Sequence, residues 1–190
     1  KPQTVRNALL DKKPESYDEA VRFLVEREQI DTTKRNVLLS HQFYTAGNHI
    51  PSLSDSETVH VGGIDNVDIS AIEMFDYVAL GHIHASQKVK YDHIRYAGSN
   101  LCYHFDELKK PKKGPLVVEI KEKGNIDIQQ REIQPLHSLR QVEGTLDEII
   151  ENEKNITEGN QYIHVVLKDE YVPVGASNKL EALFSSKNSI

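Results

Sequence analysis

Apolar positions along the chain fall into short runs that end on polar residues, and their spacing predicts helices and strands in alternation. Residues 1 to 30 read as helical: Pro2 suits a first turn, and Val5, Leu9 and Leu10 give a short apolar stripe. Ser16 with Glu19 is a capping-box pattern, with Ala20, Phe23 and Leu24 behind it as the face expected to be buried. Asn36-Val37-Leu38-Leu39-Ser40-His41 reads as a buried strand that delivers a histidine at its C-terminal end. Residues 42 to 60 are predicted to form a long polar loop, and residues 69 to 75 a short helix. Tyr77-Val78-Ala79-Leu80 is a second buried strand, running into Gly81, which would let the chain turn, and then into His82-Ile83-His84.

Beyond His84 the pattern becomes β-rich. Ser86 to Lys90, Ile94 to Ala97, Pro115 to Ile120 and Ile126 to Glu132 alternate or are β-branched, with turns expected at Tyr91-Asp92-His93 and Lys123-Gly124-Asn125. Lys109-Lys110-Pro111-Lys112-Lys113 is a basic connection, read first as a solvated loop, with contact to a phosphate backbone as the alternative. Composition shifts at Pro135. Thr145 with Glu148 makes a second capping box ahead of Leu146, Ile149 and Ile150, then Tyr162 to Leu167 reads as a strand and Ala176 to Phe184 as an amphipathic helix. The order of elements predicts an α/β (α+β) fold with a boundary between residues 1–134 and 135–190.

Composition narrows the chemistry. The 190 residues carry a net charge of −6, which argues against a broad basic surface for nucleic acid but not against a local phosphate site built around a metal ion. Cys102 is the one cysteine, so an internal disulfide and a cysteine-based zinc cage are both excluded, and a reducing cytoplasm is the expected setting. No run approaches the roughly 20 apolar residues that span a bilayer, so no membrane role is expected. The chain opens on Lys1 rather than Met and reads as a piece of something longer.

The candidate ligands are His41, His82 and His84. In an extended segment His82 and His84 point to one side, because side chains alternate with period two. Two imidazoles at the mouth of a sheet make half of a metal site or are merely solvated loop residues; a third at the end of a similar strand favours the metal. Asp65 and Asp68 offer further ligand oxygens, but a lone acidic pair in a loop is usually solvated, and that is the expectation for them.

Ser40-His41-Gln42, Val61-Gly62-Gly63-Ile64-Asp65-Asn66-Val67-Asp68 and Phe75-Asp76-Tyr77-Val78-Ala79-Leu80-Gly81-His82-Ile83-His84 closely resemble the calcineurin-like metallophosphoesterases. Gly-His-x-His is shared across that family, whereas the Val-Gly-Gly-Ile-Asp-Asn-Val-Asp stretch is similar to the SbcD-type nuclease subunits within it. Ile94 to Ser99, followed by Phe105-Asp106-Glu107, extends the resemblance, and Val142-Glu143-Gly144-Thr145 lies in a stretch similar to their DNA-contacting capping domain.

The resemblance implies a β-sandwich flanked by helices, of which residues 1–134 would be the C-terminal half, with residues 135–190 opening the capping domain. It implies phosphodiester hydrolysis with two Mn²⁺ ions, His41 and His82 being ligands of one and His84 of the other. The whole protein would be an ATP-dependent double-strand DNA exonuclease and single-strand endonuclease in repair or recombination, dimerising through its upstream half. Its SbcC-type ATPase would be a separate chain, since no Gly-x-x-x-x-Gly-Lys-[Ser/Thr] loop occurs here. No DNA-contacting residue, and no catalytic residue beyond the ligands, is assigned.

The family's Asp-x-His and Gly-Asp-x-x-Asp motifs do not occur in this sequence. Gly47-Asn48-His49 imitates a third motif, but it follows His41 instead of preceding it, and Ile50 stands in the acidic place, so it reads as a loop coincidence. Without those carboxylates the isolated chain is expected to bind metal only partially and to be inactive. Two alternatives stand beside this reading. One is a phosphatase of the same family acting on nucleotides or phosphoproteins, which would not need residues 135–190. The other is a catalytically silent binding or scaffold module.

Overall fold

The structure, a computed structural model, describes residues 1–8, 13–55, 57, 65–109, 112–157 and 159–186. Leu9, Leu10 and Val61-Gly62-Gly63-Ile64 fall outside them. The chain divides into two units, residues 1–101 with 110–133 and residues 102–109 with 134–190. Helices and strands mix in both, which is the α/β class expected. Among the described residues, no helix is long and apolar enough to cross a membrane.

The first unit opens with α1 (Pro2–Ala8), which starts on its proline and buries Val5. In α2 (Tyr17–Arg27) the Ser16 hydroxyl accepts a hydrogen bond from the Glu19 amide at 3.1 Å. The Glu19 carboxylate accepts from the Glu15 amide, one residue before the cap, so only half of the expected box forms. Leu24 is exposed; Tyr17, Val21 and Val25, spaced four apart, are the side chains packed on the core.

Among the described residues eight strands follow. β1 (Val37–Ser40), β2 (Phe43–Thr45), β3 (Asn66–Asp68) and β4 (Tyr77–Leu80) precede β5 (Gln87–Val89), β6 (Tyr91–Tyr96), β7 (Leu116–Ile120) and β8 (Ile126–Gln130). The main sheet has the order β1-β4-β6-β5, with β1, β4 and β6 parallel and β5 antiparallel to β6. β2 pairs with β3 in parallel, and β7 with β8 as a hairpin.

Several segments depart from expectation. The polar loop begins with a strand, β2, in which Phe43, Tyr44 and Thr45 are all buried. β1 is only half-buried: Leu38 packs against the core while Leu39 is 77% exposed, because β1 lies at the end of the sheet order. The helix expected at 69–75 is a single 3-10 turn, Ile69–Ala71, with the Asp68 carboxylate accepting from the Ser70 amide. The tight turn between β5 and β6 falls on Lys90, with φ at +66°, and Tyr91 already belongs to β6. The core gathers Val78 and Leu80 of β4, Ile94 and Tyr96 of β6, Val89 of β5 and Tyr44 of β2 around Ile72 and Ile83.

The second unit holds a 3-10 turn (Phe105–Lys109), β9 (Ser138–Gly144), α3 (Leu146–Glu153), β10 (Gln161–Leu167) and α4 (Ala176–Ser185). β9 and β10 pair in parallel, with α3 as their crossover. Here the capping box is complete: Thr145 takes the Glu148 amide, and the Glu148 carboxylate takes the Thr145 amide. Arg140 on β9 grips the buried Glu153 of α3 with two bonds of 2.8 and 2.6 Å.

Candidate metal centre

β1 and β4 run side by side in parallel, Ser40 opposite Leu80, so both strands end at the same edge of the sheet. The residues that follow them meet there. His41 and His82 approach edge to face, with ring centroids 5.5 Å apart. His84 lines the same cavity, about 470 Å³ in volume, together with Glu57, Gly81, Gly98 and Ser99.

Each histidine is set by what lies beneath it. Ile83 and Ala85 are buried, which throws the flanking His82 and His84 outward from the core. The sharp turn expected at Gly81 is taken by His82 itself, whose φ of +97° is unusual for a residue with a side chain. Gly81 serves a different purpose: a Cβ there would lie 2.6 Å from His41 Nδ1, so the bare glycine leaves room for the His41 ring.

His41 is held indirectly. The buried Tyr96 hydroxyl accepts from the Tyr44 amide at 2.7 Å and donates to the Gln42 carbonyl at 3.2 Å, pinning the chain just past His41. Burial pushes the Tyr96 phenol well above its ordinary range, so it remains a donor at every physiological pH. The Tyr44 hydroxyl in turn shares a 2.8 Å bond with the Ser40 hydroxyl on the other side.

The site favours neutral imidazole at His82. Desolvation is the larger cause of its lowered pKa, and the neighbouring His41 adds to it, while Glu57 pulls weakly the other way. Though much of its surface is open, the apposed His41 ring and the turned backbone strip part of its hydration. Neutral imidazole is the form that binds a divalent ion. Three imidazoles around one cavity are a donor set that fits a divalent transition metal. Glu57 is the only carboxylate lining it among the described residues, and both its oxygens accept hydrogen bonds from protein groups.

Asp65 and Asp68 do not line this cavity. Asp68 instead accepts from Ser70 and Gly47, and those bonds, the Ser70 hydroxyl and amide first, hold its carboxyl below the ordinary range. His49 closes a tight turn with Ala46 and is likewise absent from the cavity wall. The sequence pattern missed two participants. Glu57 sits in a polar stretch with no periodic signal, and Lys113, read as part of a solvated basic run, is half-buried with its ammonium on the His84 carbonyl at 2.8 Å.

No family model matches the chain. It is 32% identical over 166 residues to the SbcD subunit of the SbcCD nuclease of Staphylococcus epidermidis, a match covering 86% of this chain and 43% of that protein. The relation is SbcD-like. The SbcD protein of Staphylococcus saprophyticus is 32% identical over 161 residues, covering 83% of this chain and 41% of that protein. The chain thus spans less than half the length of these SbcD relatives.

Proposed function

We propose that this chain carries the histidine half of a metal-dependent phosphodiesterase centre in an SbcD-type nuclease subunit acting on DNA. The observation that carries the reading is the convergence of His41, His82 and His84 on one cavity at the ends of two parallel strands. The similarity to two SbcD proteins over most of the chain supports the same assignment.

In this reading His41 and His82 would hold one divalent ion and His84 a second, Mn²⁺ being the expected metal. Bound there, the pair of ions would supply Lewis acidity toward the phosphoryl oxygen and lower the pKa of a water. The chain's own contribution is to present imidazole nitrogens in fixed positions. Burial favours the unprotonated form of His82, Gly81 admits the His41 ring, and Ile83 anchors the segment between the two later ligands. Neutral donors leave two dications poorly compensated, so the carboxylates of the Asp-x-His and Gly-Asp-x-x-Asp type, absent from this sequence, belong to a part of the protein upstream of His41. Residues 1–134 are then the C-terminal portion of the nuclease domain and residues 135–190 the start of the capping domain. The whole protein would act on double-strand ends and single strands in repair or recombination in the cytoplasm, with an SbcC-type ATPase and as a homodimer.

The test compares this chain with a form extended upstream to include those carboxylates, both on linear duplex DNA with Mn²⁺. Cleavage by the extended form that is lost in His82→Ala, with none by the chain alone, is the expected result. Inactivity of both would favour a scaffold, and preference for free nucleotides or phosphoproteins over DNA would favour a phosphatase.

A further inference from the structure

The main chain of His84 is gripped from two sides by oppositely charged side chains that come from distant segments. One carboxylate oxygen of Glu57 accepts the His84 amide. Its other oxygen accepts both the amide and the hydroxyl of Ser54, the latter at 2.9 Å. On the far side of the same residue, Lys113 donates to the His84 carbonyl and to the Ser99 hydroxyl, each at 2.8 Å. The Ser99 amide donates to that carbonyl as well, at 3.0 Å. Gly98 makes this approach feasible: its φ is +81°, and a Cβ there would meet the Ser86 nitrogen at 2.7 Å.

We propose that Glu57 and Lys113 are positioning residues, a charge-opposed clamp that fixes His84 for metal binding. The proposal rests on the reading of His84 as a ligand. A residue whose N–H faces an anion and whose own carbonyl faces a cation has both of its flanking peptide units fixed by charge-assisted bonds, and is held in place and orientation more firmly than neutral partners would hold it. Metal ligands must be kept within roughly 0.5 Å of their working geometry, and the groups that orient them typically control affinity by about 10–100-fold. Neither side chain needs to touch the metal to exert this effect. The placement also accounts for a lysine of a basic run turning inward to a histidine cavity.

The test is a Mn²⁺ titration of the full chain, followed by paramagnetic broadening of the histidine ring protons, which detects weak binding. Lys113→Met and Glu57→Ala should weaken binding by about 10–100-fold, while Lys113→Arg recovers most of it. Lys88→Met, which removes an exposed lysine paired with Asp92, should leave it unchanged. Hydrogen exchange at the Ser99 amide should speed up in Lys113→Met, and Lys113→Gln, which keeps an N–H donor, provides a milder variant should the methionine form not fold. Unchanged affinity in Lys113→Met, when binding by the unmodified chain depends on His84, would overturn the clamp alone. Binding indifferent to His84→Ala would overturn the ligand reading and the clamp with it. Affinity losses that merely track losses in melting temperature, with no recovery in Lys113→Arg, would reduce both residues to general structural supports.

Discussion

Substituting Asp76→Asn should destabilise the first unit more than any nearby change of equal size. The Asp76 side chain is 4% exposed and accepts from the Asn36 amide at 2.8 Å, from Lys123 Nζ at 2.9 and 3.1 Å, and from the Gly124 amide at 3.1 Å. It therefore fastens the β7–β8 turn to the start of β1. Asparagine keeps the shape but has one acceptor oxygen, so its NH₂ must face a backbone donor. Losing one charge-assisted bond costs about 1.5–3 kcal/mol. The Lys123 pair adds less than about 1 kcal/mol, because that ammonium is 40% exposed and screened. The expected loss is about 2–3 kcal/mol, or a fall of about 4–12 °C in melting temperature for a chain of this size. The backbone bond from Asn36, followed by Lys123, holds the Asp76 carboxyl below its ordinary range. A lowered folded-state pKa means the stabilisation is complete above the ordinary carboxylate value of about 4 and drains away as pH falls through the lower one. The gap between wild type and variant, read by thermal melts monitored with circular dichroism, should narrow from pH 7 toward pH 3. Hydrogen exchange at the Asn36 and Gly124 amides would localise the effect. A loss within about 0.5 kcal/mol, the range of an ordinary surface change, would refute the reasoning, as would a gap that widens in acid.

Three further outcomes are expected. Gly98→Ala should unfold the first unit at a markedly lower temperature, since a Cβ meets backbone at 2.7 Å on top of a φ of +81°; a cost of about 1–3 kcal/mol is anticipated from calorimetry. Gly81→Ala should act differently, because the atoms nearest its Cβ are those of the His41 ring: the ring must shift, so Mn²⁺ broadening at His41 should fall with little change in melting temperature. In the second unit Arg140→Ala removes both bonds to the buried Glu153, and urea denaturation should show a loss of about 3 kcal/mol, the lower end for breaking a buried ion pair.

What could be read from the sequence was whatever repeated or ran continuously. Tyr77 to Leu80 announced itself as a buried strand because both its faces are covered, and Thr145 with Glu148 announced a helix start because capping follows a local geometric rule. β9 escaped notice because Ser138-Leu139-Arg140-Gln141-Val142-Glu143-Gly144 belongs to a two-stranded sheet with half-wet faces, which leaves no clean alternation. β2 is too short to show a period, and the partners that bury it are distant in sequence: the Tyr44 amide donates to the Tyr96 hydroxyl, more than fifty positions away. At the site the three histidines were legible as strand-end residues. Glu57 and Lys113 were not, because the bonds that tie them to the site run to His84 and Ser99, which are distant in sequence. A charged residue in a polar stretch looks the same whether it faces water or a distant peptide group.

The parallel pairing of β1 with β4 sets a timetable for synthesis. The hairpins β5–β6 and β7–β8 join neighbouring segments and close within about 1–10 μs once translated. β1 must wait, since Val37 finds its partner at Tyr77. At about 5–20 residues per second on the ribosome, that wait is about 2–8 s. Throughout it the strand carrying Leu38 and Leu39 has no ladder to join, which makes it a natural site for chaperone capture or for mispairing with another nascent chain. The histidine at the end of β1 is therefore the first of the three to be made and must wait for the strand that brings the other two.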